Sequence, residues 1–139
     1  MQLKSIAMAA VALSLGHATL ARAGATRYYL ASFSAPHERF QHCFALTTTN
    51  QYPGYQTSGT WVDTDFADTA GTYVVNRHTL HLAGYVANGT ATPDMLTVDG
   101  ALSSGALTSA TFDYFSAAGI FYAGGTLTET IDPSCKSPS

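Results

Sequence analysis

Residues 71–130 read GTYVVNRHTLHLAGYVANGTATPDMLTVDGALSSGALTSATFDYFSAAGIFYAGGTLTET. Segments rich in Thr, Tyr, Phe, Val and Leu recur here as Gly71–Val75, His78–Val86, Met95–Val98, Leu107–Phe115 and Gly119–Thr128. Between them lie Asn-Gly, Asp-Gly and Ser-Ser-Gly punctuation. β-Branched and aromatic side chains suit a pleated, half-buried surface, and glycine-bearing pairs suit tight turns. Short strands at near-regular spacing predict an antiparallel barrel or sandwich. Asp99-Gly100 has the strongest hairpin composition, but a turn there leaves only Met95–Val98 as a strand. A bulge at Gly100 with the turn at Ser103-Ser104-Gly105 reconciles the two. Asn88-Gly89 opens a longer loop that ends near Met95.

Working outward, Thr26–Phe33 is expected as the first strand. Ser34 with Pro36 after it predicts a short helical excursion to about Gln41. Cys43–Thr49 is the second strand, and Pro53-Gly54 centres a turn flanked by Tyr52 and Tyr55. Gly59-Thr60-Trp61-Val62 opens the third strand. Gly59-Thr60, Gly71-Thr72 and Gly125-Thr126 share one opening, read as strand starts in which glycine leaves a turn. With no helix long enough to form a layer, the expected fold is a small all-β, antiparallel up-and-down barrel of about eight strands, with a two-sheet β-sandwich as the alternative.

Residues 1–23 carry the pattern of a secretory signal peptide. Lys4 is its positive end, Ile6–Leu15 its apolar run and Ala21-Arg22-Ala23 its cleavage site. That apolar run is shorter than the roughly 20 residues a membrane-spanning helix requires. Residues 24–139 are then a single domain, secreted or periplasmic, ending in a Pro/Ser tail. Once Lys4 and Arg22 are removed, four basic residues face nine acids, so the domain is about five charges negative. A lone lysine and no basic cluster argue against nucleic acid and against docking on anionic lipid. In an oxidising compartment the only cysteines, Cys43 and Cys135, are expected to form a disulfide.

Catalytic and metal patterns are sparse. On a strand, His78 and His81 point to opposite faces, and His37 and His42 share neither a helix face nor a strand face. Asp63, Asp65 and Asp68 form the only acidic cluster. If the chain stays extended, Asp63 and Asp65 share a face, which makes the three weak calcium candidates. The spacing of an EF-hand is absent, and so are G-x-S-x-G and HExxH. No cofactor is expected.

Tyrosine is the stronger signal. Eight tyrosines, seven phenylalanines and Trp61 are many for so small a domain. Phe112 and Tyr114 share one strand face, with Asp113 and Phe115 on the other, and Ile120-Phe121-Tyr122 puts large groups on both. Tyr and Trp combine contact area with a polar tip. The candidate ligand-binding residues are Trp61, Tyr52, Tyr55, Tyr85, Tyr114 and Tyr122.

Gly59-Thr60-Trp61 resembles the G-x-W that opens a strand in the lipocalins and avidins. The three-residue likeness implies a calycin-like ligand-binding barrel and carries no particular ligand. The leading expectation is a non-enzymatic, monomeric binding protein that uses an aromatic barrel mouth or loops. Its partner would be a small apolar molecule, a glycan or an inhibited protein. The alternatives are a surface or assembly protein pairing through β edges, and a small hydrolase working through Asp carboxylates.

Overall fold

The computed structural model describes residues 24–35, 38–52, 56–103 and 106–135. The eight strands are β1 (Thr26–Ala35), β2 (Glu38–Tyr52), β3 (Gln56–Asp63), β4 (Ala70–Asn76), β5 (Thr79–Val86), β6 (Asp94–Ser103), β7 (Ala106–Ser116) and β8 (Gly119–Thr130). Each pairs antiparallel with its neighbour in sequence, and β8 returns to β1, closing an up-and-down barrel. The strands form one closed sheet, not the two layers of a sandwich.

Period-two alternation sets what faces the lumen. In β5, Leu80 and Leu82 are buried between exposed Thr79, His81 and Ala83. In β6, Asp94, Leu96 and Val98 point in while Met95 and Thr97 point out. The middle of the lumen is filled by Phe33, Phe44, Trp61, Leu82, Val98 and Leu127, all with almost no solvent contact. Phe44 lies against Trp61 with ring centroids 5.0 Å apart. The indole reaches from β3 across to β5, where Nε1–H donates to the Ala83 carbonyl at 3.0 Å. That reach depends on Gly84, since a Cβ there would meet the indole Cζ2 at 2.6 Å and the Ala70 carbonyl oxygen at 2.3 Å.

Cys43 and Cys135 form the disulfide, with Cα atoms 5.4 Å apart. Cys43 faces outward on β2 yet is buried, because the bridge ties residues near the C-terminus over it.

Four expectations change. No helix follows Ser34: β1 runs to Ala35 and β2 begins at Glu38, so residues 38–41 are strand. Pro36 and His37 lie outside the described residues. β3 begins at Gln56 rather than Gly59. Gly59, Gly71 and Gly125 lie within strands, and none has positive φ. They are places of close approach: a Cβ on Gly59 would come within 1.9 Å of the Thr47 carbonyl oxygen. Asp99-Gly100 is mid-strand in β6, and the register shift falls one residue later, between Ala101 and Leu102. The next connection lies between Ser103 and Ala106, at the alternative turn position.

Candidate functional site

The inward positions at one end of the barrel do not fill it. Phe40 and His42 of β2, Phe112, Tyr114 and Ser116 of β7, Ala118 of the β7–β8 turn and Gly119–Phe121 of β8 line an open cavity of about 550 Å³. The space exists because the tip of the β7–β8 hairpin carries small residues (Ser116, Ala118, Gly119) opposite the phenyl and imidazole groups of β2. It is accessible because the barrel seam is short. β8 pairs with β1 only from Gly124 onward, so among the described residues Gly119–Ala123 pairs with β7 alone.

The cavity floor is aromatic. Phe112 packs on Phe33 at 4.7 Å and meets Phe40 edge-on at 5.2 Å. Phe112 and Tyr114 lie parallel, centroids 6.2 Å apart, as expected of residues two apart on one strand face. Phe121 completes the group beside Phe40 at 6.5 Å.

Two acidic residues are buried around this end. Asp63, the last residue of β3, is 2 % exposed, and its Oδ2 lies 2.7 Å from Nδ1 of His42. The approach is close but bent, an ion pair rather than an aligned hydrogen bond. Asp63 Oδ1 accepts the backbone N–H of Asp65 at 2.9 Å. The Asp63 carboxylate raises the His42 pKa above the ordinary imidazole value; burial opposes it, and the charge of Asp65 adds to the rise. Phe66 flanks the ring at 5.6 Å.

Asp94, at the start of β6, is held differently. Tyr114 donates its hydroxyl to Oδ2, and the Asn88 amide donates to Oδ1 at 3.0 Å. Burial, and then the neighbouring Asp94 carboxylate, push the Tyr114 hydroxyl up to about 12, so it keeps its proton. Ser116 is satisfied within its own turn by the Ala118 N–H and the Gly119 carbonyl.

Of the tyrosines and tryptophan expected to bind, Tyr114 lines this cavity. Trp61 lies deeper, in the packed core. Tyr85 and Tyr122 are exposed on the outer face, 57 % and 61 % accessible. Tyr52 ends β2 at the opposite end and Tyr55 follows it; the Tyr52 side chain and all of Tyr55 lie outside the described residues. The acidic cluster divides: β3 stops at Asp63, which turns inward to His42, while Asp65 and Asp68 stay exposed in the following loop. Among the described residues no three His, Cys, Asp or Glu converge as a metal cluster. His78 occupies the β4–β5 turn, and His81 pairs with Asp99 on the outside of the barrel.

Phe40, His42, Phe121 and Asp94 were not among the expected site residues. Phe40, His42 and Phe44 fall at period two, a strand signal that the expected helix at 34–41 hid. The meeting of His42 with Asp63 depends on the β2–β3 register, in which Phe44 lies opposite Asp63. The chain matches no family model, no curated protein and no solved structure.

Proposed function

We propose that this chain is an exported binding protein that takes a small apolar molecule into its barrel mouth. The observation that carries the reading is the open, aromatic-floored cavity of about 550 Å³, within the size range of small-molecule sites. The alternation also supports a water-facing barrel, because Leu, Val, Phe and Trp point into the lumen while Thr-rich positions point out. A lipid-embedded barrel requires the reverse. The buried disulfide is compatible with a secreted or periplasmic location. Titration with N-phenyl-1-naphthylamine, a neutral dye that brightens in apolar surroundings, tests the reading. Saturable one-to-one binding that Ala118→Trp abolishes by filling the mouth is expected. Binding that does not saturate, or that ignores this change, would refute it.

A second reading, a protein partner, draws on the outer surface, which meets the cavity rim at Ile120. Tyr85, Met95, Phe115 and Ile120 are successive cross-strand partners on the outside of β5 to β8, and all four are exposed. Closure pairs the barrel strands on both sides over most of their length, so an assembly contact would use this apolar row more readily than a β edge. Light scattering that finds a concentration-dependent mass, lost on Phe115→Ser, would support it.

A further inference from the structure

The described cavity lining offers three polar side chains in apolar surroundings, and their commitments differ. Tyr114 spends its proton on Asp94. Ser116 is satisfied within its turn. His42 engages Asp63 through Nδ1, and among the described residues nothing hydrogen-bonds its other nitrogen, Nε2. Asp63 is itself buried, is not one of the lining residues, and accepts the Asp65 backbone N–H. A carboxylate at Nδ1 fixes the ring and favours imidazolium, whose second N–H is then a charge-assisted donor.

We propose that the ligand is an apolar acid, its ring or chain packed on Phe40, Phe112 and Phe121 and its carboxylate accepting a hydrogen bond from Nε2–H of His42. The proposal rests on the mouth being a ligand site and adds the chemistry of its polar end. A cationic ligand is disfavoured in this geometry because, among the described residues, the imidazolium is the only charged group in the lining. The other described charged groups at this end are not in the lining. Asp63 on β3 is engaged at Nδ1, Asp65 lies in the loop after β3, and Asp94 on β6 is covered by Tyr114 of β7 and by Asn88. β8 contributes no ionisable group to the lining.

Binding should therefore follow the proton on His42. A naphthyl carboxylate is ionised above about pH 5, and its donor disappears once the pH exceeds the raised imidazole value. Neutral His42 has a single N–H. The Asp63 carboxylate 2.7 Å from Nδ1 favours it on that nitrogen, which leaves a lone pair at Nε2 that repels an oxygen acceptor.

Three isosteres separate the possibilities by calorimetry at pH 6 and pH 9: 1-naphthylacetate, 2-(1-naphthyl)ethanol and 2-(1-naphthyl)ethylamine. At pH 6 the acid should bind roughly ten- to a hundredfold tighter than the alcohol, the size of one charge-assisted hydrogen bond. That margin should vanish at pH 9. His42→Phe, or His42→Gln if the first fails to fold, should remove the margin while the alcohol still binds. Acid and alcohol binding equally at pH 6, or the amine binding best, would overturn the proposal and leave the cavity reading standing. If none of the three binds, both fail.

Discussion

The middle of the lumen and its open mouth are built by the same strands with opposite choices. In the middle, most inward positions carry bulk, and small ones admit neighbouring bulk, as Gly84 admits Trp61. At the mouth, one hairpin turns small (Ser116, Ala118, Gly119) and two others place buried acids, Asp63 and Asp94. A wall selected for stability alone would fill a hole of this size, since voids forfeit dispersion contacts, and would not bury carboxylates that need partners. The middle serves the fold. The mouth spends stability on shape and charge.

Substitutions in the two regions should therefore fail differently. The largest effect belongs to the staple outside both. Cys43 and Cys135 are 92 residues apart. Loop-entropy arguments make such a crosslink worth about 4–5 kcal/mol. Reduction, or a paired Cys→Ser change, should lower the denaturant midpoint accordingly. An unchanged midpoint would mean that the barrel closes as well without it.

Next is the packed middle. Trp61→Ala should cost about 3–5 kcal/mol, with a cavity left between Phe44 and Gly84. Native tryptophan emission should be that of an indole away from water, and a water-exposed spectrum would contradict the burial. Phe121→Ala sharpens the contrast. Phe121 is 38 % exposed, so its loss should cost less than about 1 kcal/mol. Binding of the neutral naphthylamine dye should nevertheless weaken by tenfold or more, because Phe121 is one of the cavity's few large walls. Equal destabilisation by the two substitutions would erase the distinction between middle and mouth.

Sequence pattern conveyed the scaffold well and the site poorly, for one physical reason. Alternation, turn chemistry and cysteine count are local or additive, so about eight antiparallel strands and the Cys43–Cys135 bridge could be read directly. Closure was favoured over a two-sheet sandwich and is settled by the β1–β8 pairing. Phe112 and Tyr114 were also legible as partners, being two apart on one strand. The site required register. His42 meets Asp63, and Tyr114 meets Asp94, only through the pairing of β2 with β3 and of β6 with β7. The Ser34–Pro36 signature also favoured a helix over residues that the barrel needs as strand, a case of tertiary pairing overriding a local signal. Tyrosine count marked Trp61, Tyr85 and Tyr122 equally with Tyr114, because composition cannot tell inward from outward.

The smallest effect is the most specific to the mouth. In the folded protein the Asp63 carboxylate holds His42 above its ordinary imidazole pKa. The imidazolium is thus bound more tightly in the native state than in the unfolded chain. The stability this adds is fully present below an ordinary imidazole pKa of about 6.5 and is lost as the pH rises through the raised native value. The melting midpoint of the wild type should therefore fall across that window by more than the midpoint of Asp63→Asn, which cannot hold the imidazolium. His42→Gln should likewise flatten the profile. Parallel profiles for the wild type and Asp63→Asn would show that the two side chains do not interact in solution, and the donor proposed at the cavity wall would lose its support.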